Sequence, residues 1–301
     1  MPIYKIDTKN VLQLGLKKDG FGKEFTLRDF FADNLESLLG VRFLEKEYQI
    51  EPGVQIDTLG IDEDNSPVII EYKWKENQEI FVQGIHYLRC LRRNKKHFNL
   101  LVQSKFGVEA EVNWSRPRVI LIAQSFSPYI KSAVQEREYG NIELKSYALY
   151  DGDILHIENE YNSIREKVKT SIDQTNNENT DESEDSTIYN LEYHLNLTSI
   201  EMQKSFQELR VKLLELPSVE EVSEQKSGIT YRTIKSFTRL EFKGTWIQVL
   251  VQGPSYPEDT LNIIQDVTTH RWGYRGKIKF TPESDIEYIY SIIKASYNNT
   301  L

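Results

Sequence analysis

The chain has 301 residues, 39% of them hydrophobic, and a formal net charge of −9; this length and apolar content favour two domains with packed cores. No stretch is long and apolar enough to span a bilayer, and the amino terminus lacks the pattern of a signal peptide, so we expect a cytoplasmic protein. The single cysteine, Cys90, excludes an internal disulfide and a multi-cysteine zinc site, and its place on the apolar side of a predicted helix indicates a buried structural thiol.

The first predicted helix covers residues 25–39. Thr26 precedes Asp29 by three residues, which is close to a capping box at the start of a helix. The helix carries the acidic residue Glu36, and Glu45 and Glu47 follow on the next segment.

Two strands are predicted next, at 54–59 and 68–73, because β-branched and aromatic residues alternate with polar ones. The residues between them include Gly, Asn, Ser and Pro, which is the composition of a hairpin turn. The two strands should therefore pair antiparallel.

Charged residues occupy the edges of these two strands. Glu71 and Lys73 are two apart, so they project from the same face. If the register places Asp57 near Glu71, the two carboxylates form a hard-oxygen pocket suited to Mg²⁺ or Mn²⁺, while Lys73 can orient water or offset charge on a phosphate. The alternative is an ordinary pairing of opposite charges on a solvated sheet face.

A long helix is predicted at residues 76–96. Gln83 and Tyr87 are four residues apart and share one of its faces. Its carboxyl end is strongly basic and could either engage backbone phosphates or form a solvated helix terminus; the residues concerned are Arg89, Arg92, Arg93, Lys95 and Lys96.

The following segments complete an α/β sandwich. Residues 99–103, 118–124 and 142–149 have the composition of strands, and 128–137 that of a helix. The central strands are apolar runs, as expected when both faces of a sheet are covered. We predict a first domain at residues 1–162.

A polar, acidic stretch follows and is predicted to be a linker at residues 163–192, because 173–185 has almost no apolar content. A smaller α+β domain is predicted at 193–301. Its expected elements are a helix at 199–216, strands at 229–234, 239–242, 246–251 and 277–280, and a closing helix at 285–294.

Four features of the first domain occur in order along the chain: Glu36, Ile56-Asp57, Glu71-Tyr72-Lys73, and Gln83 with Tyr87. In this order they resemble the PD-(D/E)XK nuclease superfamily, and they look most like the branch related to RecB and the NucS endonucleases, which has a Gln-x-x-x-Tyr helix motif. The resemblance implies a restriction-endonuclease-like αβββαβ core and a Mg²⁺-dependent or Mn²⁺-dependent endonuclease.

The resemblance also implies roles for individual residues. Asp57 and Glu71 would be metal ligands, Lys73 the catalytic lysine, and Glu36 a further acid acting through a metal-bound water. Gln83 and Tyr87 would orient the site or touch the phosphate backbone. Glu36 could instead be a solvated helix residue, and the Gln83–Tyr87 pair could simply bond the sheet and pack against it. One departure is visible, because Gln55 stands where close relatives are expected to have a basic residue.

The second domain resembles, over about the last hundred residues, an uncharacterised family of carboxy-terminal domains whose members are often called predicted transport proteins. The resemblance depends on residues 266–273, followed by a strand and a helix. The absence of a membrane segment argues against the transport label. An aromatic pocket for a base is a further hypothesis; its residues would be Tyr231, Trp246, Trp272 and Tyr274, with His270 and Arg271.

Three kinds of function are therefore open. The leading one is a metal-dependent nuclease acting on DNA, with RNA not excluded, in restriction, phage defence or repair; a homodimer would suit cleavage of both duplex strands. The alternatives are a catalytically silent nucleic-acid-binding protein on the same fold and an assembly protein. Retention of Asp57, Glu71 and Lys73 favours the enzyme.

Overall fold

The computed structural model describes residues 2–7, 10–136, 141–161, 189–225, 227–252, 259, 261–267 and 273–300. The acidic run at 173–185 and most of the predicted linker lie outside these residues, as do His270, Arg271 and Trp272. Within the described ranges, no helix is long and apolar enough to cross a membrane. We call residues 2–161 the amino-terminal lobe and residues 189–300 the carboxy-terminal lobe.

The amino-terminal lobe is built on a six-stranded sheet with helices on both faces. Its elements are β1 (Tyr4–Asp7), β2 (Asn10–Gln13), α1 (Glu24–Asp33), α2 (Leu35–Leu39), β3 (Val41–Glu51), β4 (Val54–Asp62), β5 (Pro67–Tyr72), α3 (Glu79–Arg93), α4 (Lys95–Phe106), β6 (Arg118–Ala123), α5 (Pro128–Ala133), β7 (Ile142–Tyr150) and β8 (Ile154–Tyr161). The strands of the sheet lie in the order β3-β4-β5-β6-β7-β8, and β1 and β2 form a separate ribbon.

The strands of this sheet run in the directions expected for the predicted αβββαβ core. β3, β4 and β5 pair antiparallel, whereas β5, β6 and β7 pair parallel. Helices α1 and α2 cover one face, and α3, α4 and α5 cover the other, which explains why β5 and β6 are apolar runs buried on both sides. The order helix, three strands, helix, strand confirms the predicted α/β class with an αβββαβ core.

Four local predictions in this lobe are wrong. The helix predicted at 25–39 is divided at Asn34, where α1 ends and α2 begins. Residues 99–103 form part of α4 rather than a strand; Val102 lies on the buried helix face one turn after Phe98, whereas Leu100 is exposed. The helix predicted at 76–96 is divided at Asn94, where α3 ends and α4 begins. Helix α1 begins at Glu24 after Lys23, so Thr26 does not cap it.

The carboxy-terminal lobe is a second six-stranded, antiparallel sheet in the order β13-β14-β12-β11-β10-β9. Three helices cover one face and enclose an apolar core. Its elements are α6 (Leu191–Asn196), α7 (Ile200–Leu214), β9 (Glu220–Gln225), β10 (Gly228–Arg232), β11 (Ser236–Phe242), β12 (Ile247–Val251), β13 (Gln265–Asp266), β14 (Gly276–Phe280) and α8 (Ile286–Asn298).

The helices of this lobe begin where their capping residues predict. The Ser199 side chain accepts a hydrogen bond from the Met202 amide, at 3.3 Å, and the Asp285 side chain accepts one from the Tyr288 amide, at 3.1 Å. Helix α6 begins at Leu191, so the last two residues of the predicted linker are helical.

The prediction that Tyr231 and Tyr274 line one aromatic pocket is wrong. Tyr231 is buried in the core beneath the helices, and its hydroxyl donates to Glu221 Oε2 at 2.7 Å. Tyr274 is buried in a separate cluster with Leu250 and Val267. Leu250 faces away from its neighbours Val249 and Val251, which belong to the helix-covered core; Tyr231 and Tyr274 therefore lie on opposite sides of the sheet.

Candidate active site

Asp57 and Glu71 lie opposite each other where β4 and β5 separate. The last paired residues of the ladder are Thr58 and Ile70, so Asp57 and Glu71 are the next residues on the two strands. In place of a ladder bond, the Tyr72 amide donates to Asp57 Oδ2 at 3.2 Å. The juxtaposition of the two acids, predicted on condition of this register, is thus present.

Glu71 is almost fully enclosed, with 2% of its surface exposed. One carboxylate oxygen, Oε1, accepts from Lys73 Nζ at 3.3 Å. The other, Oε2, is buried and has no hydrogen-bond partner among the described residues. Burial, followed by the charge of Asp57, raises the pKa of Glu71 to about 8; Lys73 therefore compensates the buried carboxylate only in part.

At Asp57, too, burial and the neighbouring groups act on the pKa in opposite directions. Burial raises the pKa of its carboxyl above the ordinary value, and the Tyr72 amide and the Lys73 charge act in the opposite direction. The two buried carboxyls therefore resist being ionised together, and a bound cation would stabilise the doubly ionised pair.

Lys73 follows β5 directly and connects two carboxylates. Its Nζ lies 3.0 Å from Glu24 Oε1 and 3.3 Å from Glu71 Oε1. Burial disfavours the ammonium form, but Glu71 and Glu24 outweigh it and raise the pKa of Lys73 above its usual value. Lys73 is thus an ammonium ion at neutral pH, and it can stabilise negative charge but cannot serve as a general base there.

Glu24, which sequence reasoning missed, is the acid that α1 contributes to this cluster. Its contact with Lys73 and its effect on the pKa values of Asp57 and Glu71 place it beside them. Glu36 instead lies exposed on α2, where its charge acts on Arg42 of β3. Arg42 pairs with Ile61, four residues along β4 from Asp57, or about 13 Å. The prediction of Glu36 as the further acid is therefore wrong.

Arg28 is a second residue that the sequence did not reveal. It lies one turn after Glu24 on α1, so both side chains share a helix face. Its Nη1 donates to Glu47 Oε1 at 2.7 Å, and its charge also lowers the pKa of Asp57. Gln55, which replaces an expected basic residue, donates from Nε2 to the Glu47 carbonyl at 3.1 Å; Arg28 is therefore a cation near Asp57 that does not depend on position 55.

Helix α3 lies close against the sheet because Gly84 faces it. A Cβ at Gly84 would lie 3.0 Å from side-chain atoms of Val119 and of Leu121 on β6. The neighbouring Gln83 has a buried side-chain oxygen, Oε1, without a partner among the described residues. Burial, and next the charges of Glu71 and Asp57, raise the pKa of Tyr87; Tyr87 thus faces the acidic pair.

The predicted basic residues lie at the junction of α3 and α4 and are exposed: Arg89, Arg92, Arg93, Lys95 and Lys96. Arg93 Nη2 bonds Glu51 Oε2 at 2.9 Å. Glu51 pairs with Val54 at the end of the β3–β4 hairpin, and Val54 is three residues before Asp57 on β4. This basic junction therefore lies at the same end of the sheet as the acidic pair. Cys90 is buried, as predicted, with its Sγ 3.4 Å from Arg93 Nη2.

The donor set is consistent with a hard divalent cation. In the part of the chain that the structure describes, no three His, Cys, Asp or Glu side chains form a group that could hold a metal ion. Mg²⁺, however, commonly uses one or two carboxylates, with water and substrate phosphate completing its shell. The unpartnered Glu71 Oε2 and the repulsion between Asp57 and Glu71 are what such an ion would relieve.

Comparisons with known proteins give one relative and three solved structures. No family model matches the chain. An uncharacterised protein of Haemophilus influenzae is 29% identical over 304 residues, covering 96% of this chain and 98% of that protein; the similarity thus extends over both lobes.

The solved structures are similar only in part. A repair endonuclease from Pyrococcus abyssi is 20% identical over 40% of this chain and 44% of that one, with a TM-score of 0.28. EndoMS in complex with double-stranded DNA is 15% identical, and EndoMS in its apo form is 17% identical, each with a TM-score of 0.24. The matches cover 62% and 63% of those chains, so this chain spans less than two thirds of each solved structure. Activity has to be judged from its own residues.

Proposed function

We propose that this protein is a metal-dependent nuclease that hydrolyses phosphodiester bonds, with DNA as its substrate. The observation that carries the proposal is the buried pair Asp57 and Glu71, with an unpartnered carboxylate oxygen and an adjacent ammonium ion from Lys73. A charge pair that served only the sheet surface would be solvated, whereas Glu71 is enclosed and only partly compensated.

In the proposed reaction, Asp57 and Glu71 would hold Mg²⁺ or Mn²⁺, and the bound ion would polarise the scissile phosphate and make water a stronger acid. Water would add to phosphorus and release a proton to solvent, one P–O bond would break, and the leaving oxygen would take up a proton from solvent. Lys73, charged at neutral pH, stabilises the negative charge that develops on the phosphate oxygens.

The neighbouring side chains have supporting roles in this proposal. Glu24 fixes the position of the Lys73 ammonium through their 3.0 Å contact. Gln83 and Tyr87 line the α3 side of the acidic pair and orient water or phosphate. Arg28, which is bonded to Glu47, adds positive charge on the α1 side to that of the Lys73 ammonium.

DNA is proposed as the substrate class because exposed basic residues lie at the same end of the sheet as the acidic pair. The net charge of −9 belongs to the whole chain and does not describe this junction. A homodimer, which would present two such sites to the two strands of a duplex, remains a prediction, as does the cytoplasmic location.

The test is cleavage of a panel of single-stranded, duplex, branched and modified DNA and RNA with Mg²⁺ or Mn²⁺. Wild type is compared with Glu71→Ala and Lys73→Ala, and Glu36→Gln is the matched control because it alters a carboxylate outside the cluster. We expect metal-dependent cleavage by wild type and by the control, and none by the other two variants.

Each result has a defined meaning, provided that circular dichroism shows the variants to be folded. Cleavage that survives Glu71→Ala would contradict the proposal. Binding of nucleic acid without cleavage, and without any metal binding that depends on Asp57 or Glu71, would favour the alternative function, a catalytically silent nucleic-acid-binding protein.

A further inference from the structure

The turn that joins β4 to β5 has an unusually well-fixed conformation. We call residues 62–66 the interlobe turn. Asp62 Oδ1 accepts from the Asp64 amide at 3.0 Å and from the Ser66 amide at 2.8 Å, and Asn65 takes a left-handed conformation with φ of 58°. Asp62 Oδ2 also bonds Arg118 Nη1 at 2.9 Å, so the turn is anchored to β6.

The carboxy-terminal lobe holds the interlobe turn from the other side. Asp64 is buried, accepts from Thr230 Oγ1 of β10 at 3.2 Å, and forms an ion pair with Arg239 of β11. A Cβ at Gly273 would lie 2.8 Å from the Glu63 Cβ; glycine there lets the backbone approach the turn closely. Residues more than 160 positions away in the chain thus fix its tip.

The interlobe turn determines how β4 and β5 align. Four residue pairs separate it from the acidic pair: Ile61 with Pro67, Gly60 with Val68, Leu59 with Ile69, and Thr58 with Ile70. Asp57 is therefore five residues along β4 from Asp62, or about 17 Å. In a hairpin the turn fixes the register, and a slip of one residue moves side chains to the opposite face; Asp57 lies opposite Glu71 only in the register that this turn imposes.

We infer that the carboxy-terminal lobe is a positioning element for the acidic pair: through Asp64, its residues Thr230 and Arg239 fix the interlobe turn and thereby keep Asp57 opposite Glu71. The inference rests on the proposed function in so far as the acidic pair binds a metal ion. The carboxy-terminal lobe would thus affect metal binding at the acidic pair without contacting the substrate.

Other contacts between the lobes supply the controls. Lys235 Nζ bonds the Ser37 carbonyl on α2 at 3.1 Å, and Arg232 Nη1 bonds Glu143 Oε1 on β7 at 2.7 Å. The Lys235 contact involves no residue of the interlobe turn, whereas Glu143 also bonds Arg118, which anchors Asp62. Lys235→Met therefore weakens the lobe interface but leaves the turn anchored.

The experiment measures the Mn²⁺ dissociation constant of the full chain by isothermal titration calorimetry, well below each variant's melting temperature. We expect Asp64→Ala to weaken binding about tenfold, the lower end of what loss of an outer-shell partner of a metal ligand costs. Asp64→Asn should recover part of this loss because its single side-chain oxygen can replace one of the two Asp64 oxygens that accept from Arg239 and Thr230. Thr230→Val should weaken binding less, and Lys235→Met should match wild type.

The outcomes separate this inference from the proposed function. Mn²⁺ binding by wild type that is lost in Glu71→Ala, together with Asp64→Ala and Thr230→Val both within twofold of wild type, would overturn the inference alone. An absence of Mn²⁺ binding by wild type would overturn the proposed function and the inference with it. If Asp64→Ala does not fold, Thr230→Val decides, since it removes one hydrogen bond and leaves the Asp64–Arg239 ion pair in place.

Discussion

The two buried carboxylate clusters of this molecule are compensated in opposite ways. At the interface between the lobes, Glu143 bonds Arg118 Nε and Arg232 Nη1, each at 2.7 Å. At the acidic pair, Glu71 has one ammonium neighbour and an oxygen without a partner among the described residues. Both carboxylates are enclosed, so the difference lies in the number of cations that surround them.

The pKa values follow this difference. Burial disfavours the charged form of Glu143, but Arg118, Arg232 and Lys145 outweigh it and hold the pKa of Glu143 well below its ordinary value. Burial and the neighbouring Asp57 instead raise the pKa of Glu71 to about 8. A buried acid is therefore weak evidence for function by itself, whereas a buried acid without enough cations indicates a site for one.

The largest expected effect is on the undercompensated cluster. Asp57→Asn keeps the shape of the side chain but removes the charge proposed to bind metal, so we expect cleavage to fall about 10⁴-fold, or about 5 kcal/mol of transition-state stabilisation. Single-turnover cleavage with saturating Mn²⁺ measures this. A variant within tenfold of wild type would show that the two clusters do not differ in function.

The compensated cluster should matter for stability instead. Glu143→Gln removes the carboxylate that bridges Arg118 and Arg232, although Asp62 and Glu220 remain as their other counter-charges. We therefore expect a loss of about 3 kcal/mol in the free energy of unfolding, the lower end of the cost of breaking a buried ion pair. Glu71→Gln is the matched change in the other cluster. It should not lower the stability of the metal-free protein at neutral pH, because the pKa of Glu71 is raised to about 8 and its carboxyl is largely protonated there. Urea denaturation of both variants makes the comparison, and equal losses would contradict it.

Glu63 extends the comparison between the two clusters. It lies at the interface between the lobes, as Glu143 does, but its pKa is raised whereas that of Glu143 is lowered. Burial, and then the Asp62 charge, raise the pKa of Glu63 to about 7. The folded state thus retains a proton that the unfolded chain loses near pH 4.5, and stability is lost as pH rises between these values. We expect Glu63→Gln to be about 3 kcal/mol more stable than wild type at pH 8 and similar to it at pH 4. Thermal melts over this pH range test the sign.

The smallest predicted effect distinguishes the two helix acids. Glu24→Gln loses the charge that fixes the Lys73 ammonium, and we expect about a tenfold slower cleavage, or about 1.4 kcal/mol. Glu36→Gln should leave the rate unchanged, since Glu36 acts on Arg42. The reverse order of these two variants would restore the sequence-based assignment.

Sequence reasoning identified the acidic pair because a strand has a simple period. Glu71 and Lys73 are two residues apart, so they share a face wherever β5 lies, and the turn composition before β5 indicated a hairpin. The element order then followed from apolar runs. The run at 99–103 misled because a short apolar segment does not distinguish a buried helix face from a strand.

Residues that depend on three-dimensional contacts could not be found in this way. Glu24 was missed because α1 starts after Lys23 without a side-chain cap, so the capping-box pattern at Thr26 placed the helix start too late. The Asp64–Arg239 pair joins positions 175 residues apart. No local pattern records such a contact, and a single sequence supplies no other source for it.

Gly84 shows what the approach of α3 to the sheet demands of the helix. Glycine in a helix interior is less favourable than alanine by about 1 kcal/mol, and replacing it by alanine is a common way to make proteins more heat-resistant. In α3 the added methyl group would lie 3.0 Å from Val119 and Leu121, so either these side chains or the helix would have to shift by a few tenths of an ångström. The substitution that helix propensity favours at Gly84 would therefore also act on Gln83 and Tyr87, whose positions depend on how closely α3 approaches the sheet.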